Sequence, residues 1–270
     1  MAAARATPPL AAYVLHSYDW SDSSLIVELF TRTQGRLVVV AKGAKRPTSN
    51  FRPLLLPFHA LTVWLARAPA AESAAGSAAE SSEIRGLRSV EWGGGAPLPA
   101  AALMSGFYLN ELLLKGLARQ DPHAALFDAY ADALITLAAA ELPEEVVLRA
   151  FEFVLLRELG LLPELDRVTA STEPLQPGRR YSLHAEAGMV ANANANANAD
   201  TEGVGAATWV SLQAALQHGS FAALRQACTA EVTALRAPLR ALVHYHLATA
   251  QLRTRRVGLE MQRLAALSGR

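Results

Sequence analysis

The residues with the greatest chemical potential in this chain are two histidines, a single cysteine and two aspartates near the start. His244 and His246 are two positions apart in a helical pattern, so their side chains point in nearly opposite directions and cannot share a metal ion. Cys228 lies in an apolar helical pattern, which is typical of a small core residue. Asp19 and Asp22 lie in a predicted turn, where carboxylates are rarely buried enough for acid–base catalysis. These residues therefore predict neither a metal site nor a nucleophile.

Motifs and composition point away from catalysis as well. The sequence contains no GxxxxGK[ST], GxGxxG or GxSxG motif, so the usual phosphate loops and the serine elbow are missing. One cysteine in 270 residues excludes an internal disulfide and a zinc site built from cysteine pairs. The chain is 51% hydrophobic and 18% charged, which predicts a sizeable core. The sequence has neither an 18-residue apolar run nor an apolar leader after its first residues, so we expect a cytoplasmic protein without membrane contact. Because the motifs and metal ligands described above are missing, we also expect no cofactor and no metal.

Charge is segregated along the chain although the net charge is only +1. Residues 101–166 hold eleven acids against four bases, and residues 236–270 hold seven arginines against one acid. The most uniform basic stretch is 32–52, which has no acid. Zones of this kind create local fields that attract polyanions. The six basic residues of that stretch are Arg32, Arg36, Lys42, Lys45, Arg46 and Arg52.

Five short runs rich in apolar and β-branched residues predict strands in the first 95 residues. The second and third runs flank a short glycine-containing loop, which indicates a hairpin. Five such strands fit a small barrel, either an OB-fold, which often binds oligonucleotides, or an SH3-like barrel. An Ala/Ser/Glu-rich stretch at 66–83 is interpreted as a flexible insertion. The predicted strands are 12–16, 24–30, 36–41, 54–65 and 84–92.

Helices are predicted for most of the remaining chain. Glycines 93–95 and the prolines that follow mark a boundary, which gives expected domains of 1–95 and 96–270. The periodicity fades at about 166–205, where the Ala–Asn repeat 191–199 indicates a low-complexity loop. The predicted helices are 100–117, one that starts at Asp121–Pro122 and ends near Ala140, one from Pro143 to Gly160, and 209–267 with breaks near Gly219 and Pro238.

The basic stretch coincides with the predicted hairpin. Arg36, Lys42, Lys45 and Arg46 fall at the ends and the exit of one strand, and Phe51 and Arg52 follow in a loop. Single-strand binding needs cations that track phosphates and an aromatic ring on which a base can stack. The physical pattern therefore favours nucleic-acid binding without specifying the nucleic acid.

Several short motifs in this order carry a resemblance to a known family. They are AYVLHS at 12–17, SDSSL at 21–25, FT at 30–31, GR at 35–36, VAKGA at 40–44, LPF at 56–58, GFYLNELL at 106–113, LRAFE at 148–152 and LLRELG at 155–160. Together they closely resemble the RecO family of bacterial DNA repair proteins, densely over 12–165 and thinly afterwards. The resemblance implies an OB-fold barrel followed by an α-helical domain, an α+β architecture.

The resemblance also implies a function. Members of this family bind single- and double-stranded DNA, anneal complementary strands, and help RecR load RecA onto strands coated with single-stranded DNA-binding protein (SSB). By position, Arg36, Lys42, Lys45 and Arg46 resemble the family's DNA-contacting set. The family's helical domain is thought to hold the acidic tail of SSB, and four bases are candidates for that contact here: Lys115, Arg119, Arg149 and Arg157. Some members carry a four-cysteine zinc module where this chain has VTAST at 168–172, so we expect no zinc.

Two other classes of function remain open at this point. A barrel with a basic hairpin would also suit an RNA-binding or translation-associated scaffold, and competition between DNA and RNA oligonucleotides separates the two. An enzyme acting on nucleic acid is disfavoured because no paired acids with metal-ligand spacing accompany the basic stretch.

Overall fold

The computed structural model describes residues 8–66, 84–95, 97–192, 203–247, 252–254, 256–257 and 260. The insertion predicted at 66–83 lies outside these residues apart from Ala66, and so does the 191–199 repeat apart from Ala191 and Asn192. No helix in the described part is long and apolar enough to cross a membrane.

The chain forms two compact units. The barrel unit contains the described residues up to Pro99 together with Leu112–Ala131, and the helical unit contains Ala100–Glu111 and the described residues from Asp132 onward. The expected domain boundary at 95/96 stays a prediction, since these units are defined by packing and the chain enters each of them twice.

The barrel unit is a closed five-stranded barrel of order β1-β2-β3-β5-β4. β1 pairs antiparallel with both β2 and β4, and β3 pairs with β5 in parallel. This is the OB-fold, so the prediction of a five-stranded OB barrel is confirmed. The strands are β1 Leu10–Asp19, β2 Leu25–Thr31, β3 Gly35–Ala41, β4 Ala60–Leu65 and β5 Arg85–Gly94.

The interior of the barrel is filled with apolar side chains. Successive strand residues point to opposite faces, and in β4 this places Leu61, Val63 and Leu65 inside while the residues between them are half-buried. The core cluster consists of leucine, valine and alanine, with Phe51 packed against its margin. Because side chains fill the interior, any ligand of this unit must bind on its outer surface or at the strand ends.

One outer face of the barrel is covered by the segment Leu112–Ala131. Tyr13 and Phe30 of the barrel meet Phe127 with ring centroids 5.3 and 5.4 Å apart, and Tyr13 meets Tyr130 edge-on at 5.1 Å. Tyr130 is fully buried in this cluster. Aromatic pairs in such tilted and edge-on arrangements stabilise the contact beyond the area they bury.

A glycine allows this segment to approach the start of β3. Gly35 has φ +65°, and a Cβ there would lie 1.9 Å from the carbonyl oxygen of Asp121. The N–H of Gln120 donates to the carbonyl of Arg36 at 2.9 Å. Asp121 is therefore held against the barrel, and the helix expected to start at Asp121–Pro122 begins at Ala124.

Six α-helices lie in the described part of the chain. The break near Gly219 is confirmed, since Gly219 ends one helix in a left-handed conformation. The prediction of a break at Pro238 is wrong, because Pro238 lies inside a helix whose buried stripe Leu235, Leu239 and Leu242 continues past it. Packing of this stripe offsets the cost of the lost hydrogen bond. The helices are α1 Leu103–Gly116, α2 Ala124–Ala139, α3 Glu144–Glu158, α4 Ala206–His218, α5 Phe221–Thr229 and α6 Val232–His246.

A small sheet corrects the expectation of a loop over 166–205. β6 (Arg180–His184) pairs antiparallel with β7 (Gly188–Ala191) and with β8 (Val204–Gly205). The sheet is anchored on α4, where the buried indole of Trp209 donates to the carbonyl of Tyr181 at 3.2 Å. Strands of five, four and two residues are too short to produce a clear two-residue period, which explains why the sequence pattern did not predict them.

Candidate nucleic-acid interface

A basic cleft opens beside the exit of β3 on the barrel unit. It encloses about 430 Å³, and Lys42, Arg46, Phe51 and Arg88 are among its lining residues. Lys42, Arg46 and Arg88 are exposed, and none of their three side chains makes a hydrogen bond or an ion pair with another described residue. Among the described residues, the cleft therefore presents three cations to solvent with no carboxylate lining it to neutralise their charge.

The loop that carries two of these cations is shaped by consecutive turns. Gly43 has φ +73°, and its carbonyl accepts the N–H of Arg46 at 3.1 Å. Ala44 is fully buried in the barrel core, so it anchors the loop between the exposed side chains of Lys42 and Arg46. Phe51 is half-buried against the same core, which leaves only part of its ring for a ligand.

Lys45 joins this loop to the turn between β1 and β2. Its Nζ lies 3.2 Å from Oδ1 of Asp19 and donates to the carbonyl of Ser21 at 3.2 Å. Its backbone N–H donates to the carbonyl of Ser23 at 3.0 Å. Lys45 is thus partly neutralised and serves as a tie between two loops.

Arg32 and Arg36 lie at the other end of β3, about 20 Å from Lys42 at roughly 3.3 Å per strand residue. Arg32 donates two hydrogen bonds of 2.8 Å to Asp128, and these bonds hold the pKa of Asp128 below its usual value. Arg36 pairs with the buried Glu28 at 3.3 Å and donates to the carbonyl of Leu117 at 3.2 Å. Both arginines therefore fasten the segment 112–131 to the barrel.

The structure thus divides the predicted DNA-binding set. It brings Lys42, Arg46 and Phe51 into one cleft, with Lys45 tied next to it and Arg52 exposed nearby in sequence. The residue that sequence reasoning missed is Arg88. Arg88 lines the cleft because β5 runs parallel to β3, with Val39 opposite Arg85. To predict this from the sequence, one would have had to predict the pairing of these two distant strands.

The four bases predicted for partner binding lie in different surroundings. In the barrel unit, Lys115 is exposed and Arg119 lies 3.7 Å from Glu28. In the helical unit, Arg157 is exposed, whereas Arg149 is only 9% exposed and pairs with Glu152 at 2.8 Å.

Arg149 opens onto a pocket of about 220 Å³ in the helical unit. Arg236, Arg240 and His244 of α6 line the same pocket, together with apolar groups that include Leu252. Burial and the neighbouring charge of Arg240 lower the pKa of His244. The pocket combines cations with an apolar wall, which suits an anionic ligand that also carries a hydrophobic group.

A buried polar network supports this pocket. The hydroxyl of Tyr108 donates to Oε1 of Glu152 at 2.5 Å, and Glu152 is fully buried. Burial raises the pKa of both Glu152 and Tyr108. Glu152 Oε2 and Arg149 Nε have no hydrogen-bond partner among the residues that the structure describes.

Cys228, His244 and His246 lie in surroundings that give them no catalytic or metal-binding role. Cys228 is fully buried, and this burial raises its pKa to about 12, so the thiol is protonated and unreactive. His244 and His246 lie on α6 as expected. In the part of the chain that the structure describes, no three His, Cys, Asp or Glu side chains are placed to hold a metal ion.

The fold defines the class first: an OB-fold protein whose barrel is followed by a helical region. Comparison with known proteins then identifies the family. The family described as "Recombination protein O N terminal" matches residues 10–73, and "Recombination protein O C terminal" matches residues 100–256. The chain belongs to the RecO family of DNA repair proteins.

Individual relatives match nearly the whole chain. The DNA repair protein RecO of Polaromonas naphthalenivorans is 48% identical over 257 residues, which cover 94% of this chain and 96% of the relative. Those of Delftia acidovorans and Verminephrobacter eiseniae are 46% and 47% identical and cover 98% of this chain and all of each relative. These names denote a repair protein and mention no catalysed reaction.

Proposed function

We propose that this protein is a cytoplasmic, nucleoid-associated recombination mediator that binds single- and double-stranded DNA, anneals complementary strands, and acts with RecR to load RecA onto SSB-coated strands. It would do so without catalytic turnover. The observation that carries the proposal is the cleft of Lys42, Arg46 and Arg88, three cations without partners among the described residues on an OB barrel. Membership of a DNA repair family supports DNA as the polyanion.

The geometry suits a DNA backbone for electrostatic reasons. A protein that neutralises phosphates releases condensed counterions, and each contact with a single strand contributes about −0.7 to the log–log salt dependence of binding. Cations already paired within the protein contribute less, so Lys42, Arg46 and Arg88 are assigned the main contacts and Arg32 and Arg36 a structural role.

The decisive experiment replaces Lys42, Arg46 and Arg88 by alanine and measures single-strand affinity across salt concentrations. The variant should flatten the salt slope by about 2 and weaken binding similarly for different sequences. A charge-matched control replaces Arg157, Arg167 and Arg179, three exposed arginines of the helical unit, and should keep the slope. An unchanged slope in the cleft variant would place the DNA site elsewhere, with the arginines at 253–256 as the next region to test.

Activity on SSB-coated strands tests the mediator role itself. Purified protein should anneal complementary strands coated with SSB, and the cleft variant should anneal them more slowly. DNA should outcompete RNA of the same sequence for binding to the protein. If RNA outcompetes DNA, the result favours the RNA-binding scaffold instead. Nicking of DNA in magnesium would indicate an enzyme and contradict the proposal.

For the tail of SSB, we propose the pocket beside Arg149, Arg236 and Arg240 as the docking site. An acidic tail with a hydrophobic end matches a pocket that has cations on one side and an apolar wall on the other. Of the four bases suggested by the sequence, Arg149 is the one that lines this pocket.

Titration of a labelled SSB tail peptide tests this site. Replacement of Arg236 or Arg240 by glutamate should lower the affinity for the peptide about tenfold, equivalent to about 1.4 kcal/mol. Arg157→Glu is the matched control, since Arg157 is an exposed arginine of α3 outside the pocket. Equal binding by all three variants, or a loss confined to reversals at Lys115, Arg119 or Arg157, would contradict docking in the pocket.

A further inference from the structure

The turn between β1 and β2 carries an exposed aromatic residue that the proposed function has not used. The indole of Trp20 is 63% exposed, and it has no aromatic partner among the described residues. The neighbouring Tyr18 differs, since its ring packs edge-on against His16 at 4.5 Å. A single exposed tryptophan is not unusual in itself, so its surroundings decide what it can do.

The turn is ordered by its own hydrogen bonds. The N–H of Trp20 donates to the carbonyl of Ser24 at 3.2 Å, and the N–H of Ser24 donates to the hydroxyl of Ser21 at 3.2 Å. β1 and β2 stay paired up to Asp19 opposite Leu25. The indole is therefore presented by a fixed turn at the strand ends, and little conformational freedom of the backbone would be lost if it bound a ligand.

The turn is also fastened to the basic loop. Lys45 makes three contacts with it: an ion pair with Asp19 and hydrogen bonds to the carbonyls of Ser21 and Ser23. Lys45 lies between Lys42 and Arg46 in sequence, and both of these line the cleft. The exposed indole and the unpaired cations thus belong to one connected surface at the same end of β3.

The charge of this surface favours a polyanion. The turn contributes two carboxylates, Asp19 and Asp22, and Asp19 is already paired with Lys45. The loop and cleft contribute five cations: Lys42, Lys45, Arg46, Arg52 and Arg88. An aromatic platform beside such cations is the arrangement by which proteins hold single-stranded nucleic acid, and the loop between the first two strands is one of the binding loops of OB-folds.

We propose that Trp20 stacks on a base of single-stranded DNA whose phosphates occupy the adjacent basic cleft. This inference rests on the proposed function and adds a determinant of strand preference to it. The bases of a duplex are already stacked on each other, so the indole finds an accessible base only in a single strand or at an unpaired end. Lys42, Arg46 and Arg88 would attract both forms of DNA, and Trp20 would favour the single strand.

The experiment compares three probes of equal length: a single-stranded oligo-dT, a strand whose nucleotides are all abasic, and a duplex. Trp20→Ala should lower the affinity for oligo-dT about tenfold, a loss within the range measured for base–aromatic stacking. The variant should bind the abasic strand and the duplex as the wild type does. Its salt slope should stay unchanged, because no charge is removed. Trp20→Phe should retain most of the affinity, because it keeps an aromatic ring.

Tyr245→Ala is the matched control, since Tyr245 is a 55% exposed aromatic on α6 of the helical unit. It should bind all three probes like the wild type, and thermal melting should show that every variant is folded. If Trp20→Ala and the wild type bind oligo-dT equally well, the stacking inference is overturned and the proposed function still stands. The same holds if Trp20→Ala loses as much affinity for the abasic strand as for oligo-dT. If the wild type itself fails to bind oligo-dT at low salt, the proposed function fails and the inference fails with it.

Discussion

The cations of the barrel cleft and those of the helical-unit pocket are used in different ways. In the cleft, Lys42, Arg46 and Arg88 have no partner in the described part of the chain. In the pocket, Arg149 pairs with the buried Glu152 at 2.8 Å, and Arg236 lies 3.9 Å from Glu145. Both regions are basic in sequence, but all three cations of the cleft are unpaired, whereas two of the three arginines of the pocket face a carboxylate and Arg240 alone has no ion pair to another described residue.

This difference indicates which charges stabilise the folded protein and which are available to bind a ligand. An exposed cation without a partner contributes little to stability and can exchange water for a phosphate. A buried ion pair is different, because removal of one partner leaves an uncompensated charge inside the protein. Variants of the two regions should therefore separate into those that change stability and those that change DNA binding.

The largest effect on stability is expected at Glu152. Glu152→Gln removes the charge that opposes Arg149 inside the helical unit, and the free energy of unfolding should fall by about 3 kcal/mol. Urea unfolding measures this value. Alanine at both Lys42 and Arg46 is the comparison from the cleft, and it should leave the urea midpoint unchanged. Replacement of the whole pair, as Arg149→Met with Glu152→Leu, should recover most of the loss, and a double variant as unstable as the single one would contradict this interpretation.

A smaller effect is expected at the engaged end of β3. Arg36→Ala leaves the buried Glu28 with Arg119 alone at 3.7 Å and removes the bond to the carbonyl of Leu117. Loss of a hydrogen-bonded charge of this kind should lower the unfolding free energy by about 2 kcal/mol and leave the salt slope of DNA binding unchanged. Lys42→Ala should do the reverse, with full stability and a slope flatter by about 0.7. A flatter slope for Arg36→Ala would show that Arg36 contacts DNA after all.

Sequence reasoning predicted the barrel well because its strands are short runs rich in apolar and β-branched residues and its hairpin is local. It predicted the basic stretch as one site, since sequence alone does not show that Glu28 and Asp128 reach Arg36 and Arg32 from elsewhere in the chain. It missed Arg88, which joins the cleft only through the parallel pairing of β3 and β5.

The helical unit was harder to predict for a related reason. Pro238 was expected to break a helix, but the packing of Leu235 and Leu239 outweighs the local preference. The strands over 180–205 are stabilised by distant groups, such as Trp209 and Glu231, that no local pattern reveals. Local signals were sufficient where an element is stabilised locally, and they failed where partners come from far along the chain.

The smallest effect is expected at another engaged cation, Arg180, which pairs with Glu231 where the small sheet meets α6. Burial works against ionisation of Glu231, yet hydrogen bonds from the Gly205 N–H, the Thr208 hydroxyl and Arg180 outweigh it and hold the pKa of Glu231 below its usual 4.5. Because the folded-state pKa is lowered, the ionised carboxylate stabilises the protein above pH 4.5, and this stabilisation is lost as the pH falls through the lowered pKa. Glu231→Gln should therefore lower the Tm at pH 7, and the difference from the wild type should shrink steadily below pH 4.5.

Thermal melts of Glu231→Gln and the wild type between pH 3 and 7 test this sign. Glu91→Gln is the matched control, since Glu91 is an exposed carboxylate of β5 with no ion pair to another described residue, and its melting curve should follow the wild type throughout. A Tm difference for Glu231→Gln that stays constant down to pH 3 would mean that Arg180 is held by neutral hydrogen bonds, such as the one it donates to the carbonyl of Gly203. In that case Arg180 would no longer belong with the charge-paired cations of the helical unit.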